Sequence, residues 1–127
     1  MAKVIGFGGI FFKSQNPAAL AEWYAKHLGL TADDSGCVRF KEDESRAGYS
    51  LWVPFAADTK YFGSGPQSYM LNLRVDDLPT LLASLRAAGI TVEEPAEQSE
   101  FGGFGWIVDP EGTRIELWQP PEPASAS

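Results

Sequence analysis

The chain has 127 residues, 44% apolar and 21% charged, the make-up of one globular domain able to bury roughly two-thirds of its unfolded surface. Its 10 Lys/Arg stand against 17 Asp/Glu, a net charge of −7 with no basic run, which excludes the clustered cations that nucleic acid or an anionic membrane surface requires. A single cysteine, Cys37, excludes a disulfide framework and suits a reducing cytoplasm.

In chain order, residues 3–13 read as a strand thinned by Gly8 and Gly9. Val4-Ile5-Gly6-Phe7 at its start is strand-like, with neither the charged-then-apolar plan of a secretory leader nor the length of a membrane span. Asn16-Pro17 then opens a helix, Asn as N-cap and Pro in the first turn. Leu20, Trp23, Tyr24 and Leu28 follow at helical spacing and Gly29 stops it, so Trp23 and Tyr24 read as helix core and flank. His27, near the helix end, reads as a solvated residue favourable to the dipole. Short strands are expected at Cys37–Lys41 and Tyr49–Val53, with the charged run 42–48 as a solvated hairpin loop. Cys37 has no His partner in sequence and reads as a strand residue, not a nucleophile. Pro54, Gly63, Gly65 and Pro66 mark residues 54–67 as a connection between two halves.

The second half repeats the plan. Tyr69–Val75 is an expected strand, Asp77 an N-cap, Leu78–Ala88 a helix with Leu81, Leu82 and Leu85 inward, and Gly89 its stop. Ile90-Thr91-Val92 is β-prone. Phe101-Gly102-Gly103-Phe104-Gly105 reads equally as a mobile lid with aromatic tips or as the start of a hairpin. Trp106–Val108 and Arg114–Trp118 are strands around the turn Asp109-Pro110-Glu111-Gly112, where Pro presets φ and Gly accepts an unusual backbone angle. Residues 121–127, rich in Pro, Ala and Ser, are expected to be disordered.

The halves align. Ile10-Phe11-Phe12-Lys13 falls on Leu71-Asn72-Leu73-Arg74, 61 positions on, and the caps Asn16 and Asp77 coincide. Leu51-Trp52-Val53-Pro54 falls on Leu117-Trp118-Gln119-Pro120. The expectation is α+β: a single domain over 1–120 built from two tandem βαβββ modules, 3–58 and 67–120, each too small to fold alone. Strand parity gives each sheet an aliphatic face (Ile10 and Phe12, Leu51 and Val53, Leu71 and Leu73, Ile115 and Leu117) to pack on helices. The opposite face mixes aromatic, charged and small side chains, among them Gly9, Phe11, Lys13, Ser50, Trp52, Met70, Asn72, Arg74, Arg114, Glu116 and Trp118. That mixture suits the lining of a cavity; a solvent-facing sheet side would leave Trp52 and Trp118 exposed.

Three stretches carry a resemblance to a known family. They are the Asn16-Pro17 helix running to Leu28-Gly29-Leu30, Leu73-Arg74-Val75-Asp76-Asp77-Leu78 ahead of a helix ending Ala87-Ala88-Gly89, and Asp109-Pro110-Glu111-Gly112 leading to Ile115-Glu116-Leu117. In this order the chain resembles the vicinal oxygen chelate superfamily of glyoxalase I, bleomycin-resistance proteins and extradiol dioxygenases. The resemblance implies strands curving into an incomplete barrel around a cavity, and a homodimer enclosing two sites. It also implies metal-ligand positions at Gly9, Ser50, Met70 and Glu116. Of these only Glu116 is a suitable ligand for a divalent ion, so no metal centre and no other cofactor is expected in the family's usual place.

The candidate ligand-binding set is therefore Phe11, Ser50, Trp52, Asn72, Arg114, Glu116 and Trp118, with Glu116 the candidate catalytic group. Three readings of Glu116 stay open: pairing with Arg114, Arg74 or Lys13; accepting hydrogen bonds from a ligand; or acting as a general base raised by burial. At the level of function the leading expectation is a metal-independent glyoxalase/bleomycin-resistance-like protein that binds a small, partly aromatic molecule. The alternatives are a metal-dependent lyase, isomerase or dioxygenase with displaced ligands, and an interaction module without ligand.

Overall fold

The computed structural model describes residues 10–41, 48–93 and 95–121. Helix α1, Pro17–Leu28, begins where expected. The Asn16 side chain accepts from the Ala19 N–H at 3.1 Å, and Gly29, at φ +73°, returns its N–H to the Ala25 carbonyl. Strand β1, Leu71–Arg74, leads to α2, Leu78–Ala87, capped by Asp77 on the Thr80 N–H. Strands β2 (Glu97–Ser99), β3 (Gly102–Val108) and β4 (Arg114–Gln119) complete one sheet in the order β1-β4-β3-β2. β1 and β4 run parallel, while β3 is antiparallel to both its neighbours. The order β1-α2-β2-β3-β4 is the βαβββ unit read from the second half of the sequence.

Parity places the core as expected. Ile115 and Leu117 of β4, Ile107 of β3 and Leu71 of β1 turn toward the helices and meet Leu78, Leu82 and Leu85 of α2. Leu20 and Tyr24 of α1 join the same cluster, and Leu81 packs at its edge half-buried. Each fully buried Leu or Ile contributes about 1.5–3 kcal/mol relative to exposure, so this layer holds the fold.

The Asp-Pro-Glu-Gly turn does more than reverse the chain. Asp109 Oδ1 accepts from the Glu111 and Thr113 N–H groups at 2.8 and 3.0 Å, and Gly112 takes φ +84°. Its Oδ2 accepts from the Tyr24 hydroxyl at 2.8 Å in the buried core. The Glu111 carboxylate accepts from Ser14 Oγ at 2.6 Å and from the Gln15 N–H at 3.1 Å, at the start of α1. One turn in the second half thus anchors the helix of the first.

Several expectations are corrected. Among the described residues one open sheet forms where two were expected: 10–13, 37–41 and 49–53 carry no strand pairing. Alternation names the face a strand presents, not the neighbour that supplies its hydrogen bonds, and a lone short strand is not stable in water. β2 was not anticipated, because Glu97-Gln98-Ser99 is polar and exposed throughout. Val92, read as β-prone, makes a single bridge to Ile107. Of the two readings left open for 101–105 the hairpin is the one found: residues 102–105 belong to β3, with Gly103 and Phe104 paired on both sides. Their glycines answer a packing need: a Cβ at Gly105 would sit 3.0 Å from Leu82 Cδ1, and one at Gly102, at φ +115°, would overlap the Gln119 carbonyl oxygen. Residues 3–9, the larger part of the strand expected over 3–13 and including Gly8 and Gly9, lie outside the described residues, as do the run 42–47 and the tail beyond 121.

Candidate functional site

The sheet face turned away from the helices carries Glu116, and the ladder fixes what surrounds it. Asn72 stands beside Glu116 across the parallel β1–β4 pair, and Trp106 stands opposite it across the antiparallel β3–β4 pair. Asn72 Nδ2 donates to Glu116 Oε1 at 2.7 Å, and Trp106 Nε1 donates to Oε2 at 3.0 Å. A third donor comes from outside the sheet: the Tyr61 hydroxyl, from the connection between the halves, also donates to Oε2. Glu116 is buried, and three converging donors hold its carboxylate as an oriented acceptor.

Aromatic rings extend the face on one side of this carboxylate. Phe104 lies nearly parallel to Trp106 at 6.5 Å and to Trp118 at 6.2 Å. Trp118 is 4% exposed, donates its indole N–H to the Phe101 carbonyl at 2.7 Å, and meets Tyr49 edge-on. On the other side, Arg114 donates to Glu93 from Nε at 2.9 Å and from Nη2 at 2.6 Å, and its Nη1 donates to the Tyr61 carbonyl. Its guanidinium lies 5.3 Å from the Tyr61 ring centre and 5.2 Å from that of Trp106, within cation–π range. An open pocket of about 420 Å³ adjoins this cluster, walled by Lys60, Tyr61, Gly63, Ser64, Glu93 and Arg114.

Tyr61 reaches Glu116 because residues 54–67 cross this face as a strap. Turns at 56–59 and 60–63 fold it, and Gly63, at φ +88°, passes so close to Arg114 that a Cβ would lie 3.3 Å from Cδ. The Phe55 ring stacks on Tyr61 at 5.7 Å with an interplanar angle of 9°. Burial, with the Glu116 carboxylate next in importance, pushes the Tyr61 phenol up to about 12.

Of the residues expected from sequence, Asn72, Arg114, Glu116 and Trp118 come together here. Phe11, Ser50 and Trp52 do not: they are exposed in this chain, Phe11 at 96% and Trp52 at 76%. Arg114 takes Glu93 as its carboxylate, so of the pairings considered for Glu116 the one with Arg114 is not formed, and uncharged donors meet the Glu116 oxygens. Sequence reasoning missed Tyr61, Glu93, Phe104 and Trp106. Parity could have found the two on β3, since Ile107 in the core puts Trp106 and Phe104 on the face of Glu116. Tyr61 sits in a segment without periodicity and gave no signal. His27 packs its ring 5.2 Å from Trp23, half-buried, rather than standing free in solvent.

The glyoxalase-like domain family matches residues 9–118. The chain belongs to this family. Among curated proteins none matches the sequence. Among solved structures, this glyoxalase-like chain is similar to a glyoxalase/bleomycin resistance protein from Streptomyces sp. CB03234, at 34% identity over 42% of this chain and 47% of that one, with a TM-score of 0.38. It is also similar to an antibiotic-binding protein from the same organism, at 23% identity over 84% of this chain and 88% of that one, with a TM-score of 0.52, which is a likeness of fold. A lactoylglutathione lyase from Agrobacterium tumefaciens is similar at 22% identity over 80% and 84% of the two chains, with a TM-score of 0.47.

Metal-using glyoxalases imply a divalent ion, and the donor set here can be tested against one. Such a centre needs about three His or carboxylate ligands around an open position. Ser50 is exposed, Met70 offers a thioether, and Glu116 is met by O–H and N–H hydrogens, the reverse of what a cation presents. Among the described residues no three His, Cys, Asp or Glu side chains gather into a possible metal site. The groups around Glu116 do not fit a divalent ion. Likewise, no described helix is long and apolar enough to cross a membrane.

Proposed function

We propose that the protein binds a small, partly aromatic molecule against the Phe104–Trp106–Trp118 face, oriented by Glu116, without a metal ion taking part. One observation carries this reading: a buried carboxylate, already serving indole, amide and phenol donors, sits at the margin of three near-parallel aromatic rings. Apolar lining with a few convergent polar groups is the make-up of a small-molecule site. The carboxylate supplies direction, since a charge-assisted hydrogen bond gains strength away from water. An antibiotic-binding protein has the same fold, so the fold is compatible with holding a small organic molecule.

The working form is a homodimer in the cytoplasm. Ile10 and Phe11 in one segment and Leu51, Trp52 and Val53 in another are large apolar residues left exposed in the single chain, a pattern that suits burial against a second copy. In the proposed dimer the strand-prone segments 37–41 and 49–53 gain sheet partners, the first βαβββ module is completed, and Trp52 and Phe11 join the lining.

Thermal unfolding of metal-free protein with a panel of small aromatic and dicarbonyl compounds tests the reading. A binder present at a hundredfold excess over its Kd stabilises by about 2.7 kcal/mol, an easily read rise in Tm. The expected result is stabilisation by aromatic members of the panel with chelator present. Stabilisation that requires added divalent ion, or none by any compound, overturns it.

A further inference from the structure

The strap over the site occupies it in a particular way. Tyr61 sets a phenol ring against both the Phe55 ring and the Arg114 guanidinium, edge-on to Trp106 at 6.4 Å, with its hydroxyl on Glu116. Ring stacking, a cation over the π face and a carboxylate for the O–H are together what a binding site for a phenol consists of. Tyr61 as a residue remains 39% exposed, and the segment on either side of it carries Pro54, Gly63, Gly65 and Pro66 but no strand or helix. Little apolar area therefore holds the strap down, and segments with few buried contacts are those that open at low cost.

We propose that Tyr61 is an internal stand-in for the ligand: the molecule bound at this site is a hydroxyaromatic compound whose phenolic O–H replaces that of Tyr61 on Glu116 when the 54–67 strap lifts. This rests on the sheet face being a small-molecule site and adds the ligand's chemical class and its competitor. With Asn72 and Trp106 still donating to Glu116, the departure of Tyr61 leaves an acceptor position on Oε2 that asks for one donor. A hydroxyl meets that need; an ether or a bare ring leaves the buried acceptor under-satisfied. Because the strap and ligand compete, the apparent Kd of the intact protein is its intrinsic value divided by the open fraction.

Binding of naphthol and of its methyl ether to the full chain, followed through the indole N–H resonance of Trp106, decides the matter. Naphthol is expected to bind wild type at least about tenfold more tightly than the ether, the smaller end of what one hydrogen bond to a charged group supplies. Tyr61→Ala is expected to tighten naphthol binding about tenfold or more, as a strap closed nine-tenths of the time requires. Tyr61→Phe, which keeps the ring and the stacking, is expected to give part of that gain, and Glu116→Gln to erase the preference for naphthol over the ether. Equal binding of naphthol and ether, or a Tyr61→Ala and Tyr61→Phe pair that both bind naphthol no more tightly than wild type, overturns the stand-in while leaving an aromatic site intact. Absence of any Trp106 response to either compound in all four proteins overturns the site as well.

Discussion

Leu51-Trp52-Val53-Pro54 and Leu117-Trp118-Gln119-Pro120 align with each other in the sequence, and they meet opposite fates in the structure. Leu117 is fully buried and Trp118 is 4% exposed, whereas Leu51 and Trp52 are 62% and 76% exposed. Residue type does not explain this. β4 runs between β1 and β3, which satisfy its backbone on both edges and hold its aliphatic face on the helices, while 49–53 has no sheet partner among the described residues. The contrast shows that a strand's burial is conferred by its neighbours, and that a repeated sequence repeats a structure only where the neighbours recur.

The largest expected effect sharpens this comparison directly. Leu117→Ala removes a side chain from the centre of the core and is expected to cost about 2–5 kcal/mol in urea unfolding. Leu51→Ala, measured at the lowest workable protein concentration, is expected to cost under about 0.5 kcal/mol, as for other exposed positions. If the dimer forms as proposed, the Leu51→Ala cost grows as protein concentration is raised, because the second copy is what buries it. A Leu51→Ala penalty as large as that of Leu117→Ala at every concentration breaks the comparison.

The same contrast marks how far the sequence could be read. Helix limits were legible because Asn16, Gly29 and Asp77 act on their own few neighbours, and those local bonds are the ones found. The faces of β1 and β4 were legible because period-2 alternation survives whatever the partner. The pairing of 37–41 and 49–53 was not, since it depends on edges supplied elsewhere. The site divides along the same line. Asn72, Arg114, Glu116 and Trp118 follow from parity on two strands, whereas Tyr61 arrives through a connection whose path is set by Gly63 passing over Arg114, a tertiary fact no local pattern encodes. Gly102 and Gly105 left lid and hairpin equally open for a related reason: glycine signals freedom in isolation, but here it signals close approach.

A smaller effect probes the joint between the two regions. Tyr24→Phe leaves Asp109 Oδ2, in a buried residue, without its donor and is expected to cost about 1–3 kcal/mol. Burial first, then the bond to Asp109, raises the Tyr24 phenol well above its ordinary value near 10. The folded state therefore keeps this proton at pH values where the unfolded chain releases it. That contribution is complete below pH ~10 and is lost as pH rises beyond it, with Tyr61 adding a similar loss up to about 12. Urea unfolding at stepped alkaline pH should show wild type losing stability faster than Tyr24→Phe. Parallel slopes would mean that the hydroxyl does not join the regions.

The smallest effect separates a bond between the halves from one within a half. Glu111 and Asp33 are both exposed carboxylates held below the usual range by donors: Glu111 chiefly by the Ser14 hydroxyl and then the Gln15 N–H, Asp33 chiefly by the Ser35 hydroxyl and then the Cys37 N–H. In each case the charged form is favoured by folding, so the contribution is present above the ordinary carboxylate value and is lost as pH falls through the lowered one. Their partners differ in reach. Asp33 closes a turn on residues two and four positions away, whereas Glu111 spans 96 positions to Gln15, at the start of α1. Asp33→Asn should then leave hydrogen exchange of the α1 amides untouched. Glu111→Gln, which keeps the shape but loses the charge beside the helix start, should speed exchange at Ala19 and Leu20 at neutral pH, and the difference from wild type should close in acid. If both variants speed α1 exchange alike, the two carboxylates stabilise only by their charge, and the turn does not hold the first helix to the second half.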